Sequence, residues 1–109
     1  MHLLTVQSEF KRTLREAVDE GLLVLGENAR QVIYYHIERS RQVKPEQIPD
    51  RIEPFHEALR SMFGAGADVV EKLIIKNLYS TLALKFEEYE DWTLVDYVNN
   101  AMIHIGGGG

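Results

Sequence analysis

DVVEKLIIKNLYSTLALKFEE, residues Asp68–Glu88, decides how this chain folds. On a helical wheel, at about 100° per residue, its apolar side chains cover roughly 240° of the circumference. The continuous polar stripe runs through Lys72, Lys76, Ser80 and Glu87. A surface helix needs an apolar stripe little wider than about 100°. The pattern therefore predicts a helix over 68–88 that either sits at the centre of a bundle or is shared between a core and a partner, such as a second copy of the chain. Asn77, Thr81 and Lys85 fall inside the apolar arc. Buried, each needs a polar partner, and at an interface they would fix its register. Lys85 is expected to reach Glu88 or Asp91 at the helix end.

The segments before this stretch supply faces for it to pack on. Val6, Phe10, Leu14, Val18, Leu22 and Leu25 recur at spacings of three and four, predicting a first helix over 5–25 that Gly26 stops. Asn28 is the expected cap of a second helix over 28–43, with Gln31 in the reciprocal position. The short connection makes an antiparallel hairpin. Arg39, Arg41 and Lys44 gather at its far end, where they either offset the helix dipole or form a docking patch for an acidic partner. Pro45 and Pro49 make Lys44–Glu53 irregular, with Ile48 and Ile52 as apolar anchors. Pro54 suits the first turn of a third helix over 54–63, which buries Phe55, Leu59 and Met62 and ends at Gly64-Ala65-Gly66.

Beyond Glu90 a fifth helix is announced three times. Thr93 is a cap, Asp96 lies three residues on, and Trp92 can pack on Tyr97 across the helix start. Leu94, Val95, Val98, Ala101, Met102 and Ile105 give its inner face. The reading is all-α: one compact bundle of four to five helices over 1–105, followed by a flexible glycine tail, 106–109.

Composition narrows the function. The 109 residues carry a net charge of −5 and no cysteine. Zinc–thiolate sites, disulfides and thiol nucleophiles are excluded. The acidic balance argues against nucleic acid, which needs a basic face. No apolar run spans a membrane, and MHLLTVQSEF lacks the pattern of a secretory signal, so the expected location is the cytoplasm.

Chemistry-bearing constellations are sparse. No two histidines share the spacing of a zinc helix, and the one Glu-x-x-His, Glu53 to His56, lacks the second copy that a di-iron bundle needs. Glu53 is read instead as offsetting a helix dipole and His56 as partly exposed. No serine sits in a glycine-framed elbow, and no carboxylate is evidently set in an apolar pocket. The expectation is a non-enzyme that requires no cofactor.

The acids are unevenly placed. Glu87, Glu88, Glu90, Asp91 and Asp96 follow Phe86, and no Lys or Arg follows it. Acids near a helix C-terminus oppose the dipole, a cost partly relieved for Asp91 and Asp96 by the next helix start. An oxygen-rich turn of this kind can hold Ca²⁺, although it lacks the alternating acids and central glycine of an EF-hand loop. The alternatives are a solvated acidic turn or, elsewhere, a small apolar ligand held between helices.

Two stretches, LGENARQVIYYHIE (25–38) and IPDRIEPFHEALRSMFG with GADVVEKLIIKNLY (48–64 and 66–79), carry a family resemblance. They resemble small archaeal helical domains, including the signalling output domain named after Nitrosopumilus. The marks are Gly26, Ile48, Pro49, Phe55, Leu59, Phe63, Gly64 and Gly66, over roughly one domain length from Leu14 to Phe86. The resemblance implies an all-helical, non-enzymatic module for protein interaction or signal output, and brings no catalytic residues with it.

Overall fold

Glycine 21 lets two helices of this molecule approach closely. A Cβ built there would lie 2.8 Å from Ile74 Cγ1 and 3.1 Å from the Ile74 backbone, so the two helices pack at a distance only glycine permits. Around that crossing the computed structural model describes residues 2–106, with side chains described from 6 to 105. It contains α1 (His2–Leu23), α2 (Glu27–Arg41), a 3₁₀ segment (Pro45–Asp50), α3 (Ile52–Phe63), a 3₁₀ turn (Gly64–Gly66), α4 (Ala67–Thr81) and α5 (Leu94–Gly106). The described residues include no strand.

One core unites the helices. Phe10, Leu14, Val18 and Leu22 of α1 meet Ile33 and Ile37 of α2, Phe55 and Leu59 of α3, Ile74 and Leu78 of α4, and Leu94 and Val98 of α5. The radius of gyration, 13.5 Å, is that of a single domain of this length. Ile48 is fully buried from the 3₁₀ segment and Ile52 is half-buried, as their anchoring role requires. Helix α2 is tied to α1 through Asp19, which pairs with Arg30 at 2.6 Å and accepts from the Tyr34 hydroxyl at 3.0 Å. Its outer face is left to solvent, with Val32 and Tyr35 more than 60% exposed.

Several predicted boundaries move. Helix α1 starts at His2 and stops at Leu23, leaving Leu25 exposed. Gly26, at φ 110°, both ends that connection and caps α2, so Asn28 is not the cap. Helix α5 runs to Gly106, and the rest of the expected glycine tail, 107–109, lies outside the described residues.

The largest correction concerns the stretch 68–88. Helix α4 ends at Thr81. Leu84 N–H donates to Tyr79 O at 2.9 Å and Ala83 N–H to Ser80 O at 3.1 Å, the paired bonds that close a helix around a left-handed residue. That residue is Ala83, at φ 57°. Beyond it the chain is non-helical up to Thr93. Leu82, Leu84 and Phe86 turn partly inward, while Ala83, Lys85 and Glu87 turn out, a period of two. The wide arc thus superposed a period of 3.6 on a period of two. Helix α4 alone buries Ala67, Val70, Glu71, Ile74, Ile75, Leu78 and Tyr79, an ordinary stripe at three-and-four spacing. It packs on α1, α3 and α5, so it is central, and this stripe is used up within the chain.

Candidate functional site

The non-helical segment 82–93 does not lie flat on the bundle. Between it, the C-terminal half of α3, the first turns of α4 and the start of α5 runs a cleft of about 540 Å³. A smaller hollow, about 200 Å³, lies beside Leu84, Asn100 and His104.

The helical wall is built by the α3–α4 hairpin. Gly64, at φ 57°, supplies a turn that L-residues rarely adopt. Residues at similar distances before and after it then face each other. Arg60 pairs with Asp68 at 2.8 Å, and one turn deeper His56 Nδ1 lies 2.5 Å from Glu71 Oε2. With the carboxylate ionised, the ring N–H is the donor. Glu71 is the single buried charged residue among those described, at 4% exposure, and lines the cleft. Burial raises its pKa above the usual carboxylate range, and the hydrogen bond from His56 partly opposes that. Its Oε1 accepts no hydrogen bond from the described side chains.

The other wall is aromatic. Tyr89 stacks on Trp92 with centroids 4.3 Å apart, and Trp92 meets Tyr97 edge-on at 5.1 Å. The expected Trp92–Tyr97 contact across the start of α5 is therefore present. Of the expected cap the reciprocal half is present: Asp96 Oδ2 accepts from Thr93 N at 2.8 Å, and the Thr93 hydroxyl donates to it at 3.3 Å. Tyr97 holds the segment down. Its hydroxyl accepts from the Tyr89 N–H at 2.8 Å and donates to the Tyr89 carbonyl at 3.3 Å. Tyr79 anchors α4 to α5 in turn, donating to Tyr97 O at 2.6 Å.

Of the acids named for Ca²⁺, Glu87, Glu88, Glu90 and Asp91 lie in this non-helical segment rather than at a helix C-terminus, so the unfavourable dipole expected for them is absent, and Asp96 lies in the first turn of α5, where the dipole favours it. Glu87 accepts from the Tyr89 hydroxyl at 2.7 Å and pairs with Lys85 at 3.3 Å, and Glu88 pairs with Lys72. Those partners pull both pKa values down. Asp96 is engaged by the Thr93 N–H at the start of α5. Glu90 and Asp91 line the cleft and have no ion pair among the described residues. No three His, Asp or Glu side chains among the described residues group as a metal site would require.

The expected interaction residues are dispersed. Arg39 stacks over Tyr35 at 5.7 Å, Arg41 donates to Ser61 at 3.3 Å, and the Lys44 backbone N–H donates to Gln47 at 2.9 Å. Asn77 donates to Glu20 at 3.0 Å, tying α4 to α1. Thr81 ends α4 and is exposed. Lys85, 85% exposed in its side chain, pairs with Glu87 rather than Glu88 or Asp91, because the helix that would have carried it past them has ended.

Two features escaped the sequence reading. His56 is half-buried, as expected, but it is paired with Glu71, and Glu71 is a buried carboxylate on the cleft that no local pattern revealed. The signal was the near-symmetric placement of 56 and 71 about the Gly64 turn. No helix of the described residues is long and apolar enough to cross a membrane. Comparisons with protein-family models, curated proteins and solved structures gave no match to this chain.

Proposed function

We propose that the protein is a non-catalytic binding module and that its recognition site is the cleft beneath segment 82–93. The observation that carries this is the cleft itself. It opens outside a fully packed core, and its volume of about 540 Å³ falls in the range of small-molecule and side-chain pockets. Its walls combine stacked aromatics with charged groups, the mixture that gives binding sites both contact area and orientation. Thr93 carries the one aliphatic hydroxyl on the lining, and that hydroxyl bonds to Asp96. The resemblance to helical output domains points the same way, toward interaction rather than turnover.

This places recognition at the cleft rather than along the whole of 68–88. A ligand held between the helices has little room, since the inner faces of the helices meet in one continuous buried cluster. The test is a ¹⁵N–¹H spectral titration with a library of short peptides and fragments. Binders are expected to shift Ile75, Trp92 and Leu94, and Trp92→Ala should weaken them at least tenfold. Shifts confined to Val32 and Tyr35 on the outer face of α2 would sink the cleft as the recognition site.

A further inference from the structure

The cleft is lined by five carboxylates, Asp68, Glu71, Glu88, Glu90 and Asp91, and two permanent cations, Arg60 and Lys72. Both cations are already held, by Asp68 and Glu88 respectively. Two carboxylates at the rim, Glu90 and Asp91, are left without an ion pair among the described residues. On the floor, Glu71 is more than nine-tenths buried with one oxygen engaged by His56 and the other without a side-chain hydrogen bond from the described residues. An anion brought here meets surplus negative charge. A purely apolar ligand would strip remaining water from Glu71 and offer nothing in exchange.

The aromatic wall selects among cations. Phe86, Tyr89, Trp92 and Tyr97 line the space, and ring faces attract cations. Lys76 Nζ already sits 5.9 Å from the Phe86 ring centroid. Ca²⁺ takes six to eight oxygens, and no three His, Asp or Glu side chains among the described residues group as a metal site requires. A planar or alkylated cation uses both walls at once, its charge toward the carboxylates and its apolar surface against the rings.

We propose that the cleft binds an organic cation, a guanidinium or alkylammonium group, on the acidic lining that includes Glu71, Glu90 and Asp91, with its apolar surface against the Tyr89–Trp92 aromatic wall. Such a group occurs on Arg and Lys side chains of a partner and on free amines. The inference rests on the cleft being the recognition site and names what enters it. The excess of acids after Phe86 adds a field that draws positive charge toward the opening.

Trp92 is the sole tryptophan, so its fluorescence reports on the cleft directly. The probes are four blocked pentapeptides differing only in a central Arg, Lys, citrulline or Glu, together with methylguanidinium and methylammonium. The Arg and Lys peptides should change Trp92 emission and shift Ile75 and Leu94, with the citrulline and Glu peptides at least tenfold weaker. Glu90→Gln with Asp91→Asn, both exposed and remote from the core, should weaken the cationic peptides several-fold. Raised salt should weaken them as well. Binding by methylguanidinium or methylammonium comparable to the peptides indicates a free amine, and binding by the peptides alone indicates a partner's side chain; both outcomes support the cation class. Equal or tighter binding of the citrulline or Glu peptide overturns the cation class and leaves the cleft reading intact. Silence of every cationic probe up to about 10 mM overturns the proposal too, since that is weaker than about −3 kcal/mol of binding. The peptide-and-fragment titration then judges the cleft separately.

Discussion

The α1–α4 crossing and the 82–93 segment are both neighbours of α4, yet they are held by different forces. At the crossing, Gly21 admits Ile74 so closely that no side-chain atom could be added, and Leu22 and Leu78 beside them are fully buried. Along 82–93, Leu84 and Phe86 are only half-buried, and attachment depends on the Tyr97 hydroxyl, ring contacts and surface ion pairs. Dispersion and apolar burial make the first region rigid and expensive to perturb. Hydrogen bonds near solvent make the second cheap to open, and this is where the cleft lies. The tight crossing and the cleft lie on different faces of one helix.

The comparison is easiest to break at the crossing. Ile74→Ala should cost about 2–5 kcal/mol in denaturant unfolding, through lost burial and a cavity. Gly21→Ala should cost about 1–3 kcal/mol despite alanine's better helix propensity, because overpacking opposes it. In the Ile74→Ala background the same change should cost much less, since the atom nearest the new Cβ is gone. Additive costs would mean that the close approach is not what glycine provides.

Tyr97→Phe probes the other region. Losing the hydroxyl should cost about 1–2 kcal/mol. Its clearest signature is local: hydrogen exchange at the Tyr89 amide should accelerate and Trp92 fluorescence should change, while amides of α1 keep most of their protection. A global loss larger than that of Gly21→Ala would make the segment part of the core and erase the distinction.

Ala83→Gly should sharpen the boundary between the regions. Alanine in the left-handed conformation is strained by about 1–2 kcal/mol. Glycine removes that strain but adds freedom to the unfolded chain. The expected net stabilisation is about 0.5–1 kcal/mol by denaturant titration. No gain, or a loss, would show that Ala83 is not strained.

The smallest effect is pH-dependent. The folded-state pKa of Glu71 is raised above its unfolded value, so the fold favours the protonated acid. Its contribution is complete below the unfolded value of 4.5 and declines as pH rises through the higher folded value. Glu71→Gln keeps a polar partner for His56 and lacks that decline. As pH rises above 4.5 the wild type should therefore lose stability relative to the variant. Parallel curves would mean that Glu71 is not desolvated by the fold.

Much of this architecture was legible residue by residue. The faces of α1, α3 and α5, the turn at Gly64 and the start of α5 at Thr93 all follow from signals within a few positions of each other. Helix periodicity, glycine conformation and capping are local physics, and the chain states them locally. Where the sequence misled, two local signals overlapped. Leu82, Leu84 and Phe86 alternate as an extended segment does, but following α4 without a glycine or proline between them they prolonged the helical pattern. Ala83 gave no warning, because alanine ordinarily favours the helix it here ends.

The sequence by itself determined an all-α bundle, its inner faces and an acidic C-terminal portion. Only the tertiary structure decided that the chain leaves α4 at Thr81, that the departing segment arches over a cleft, and that His56 and Glu71 meet at its floor. The physical reason is range. A helix face is set by residues three and four apart, whereas a cleft is set by surfaces brought together from α3, α4, α5 and the segment between them. The burial of Glu71 exists only once those surfaces have met.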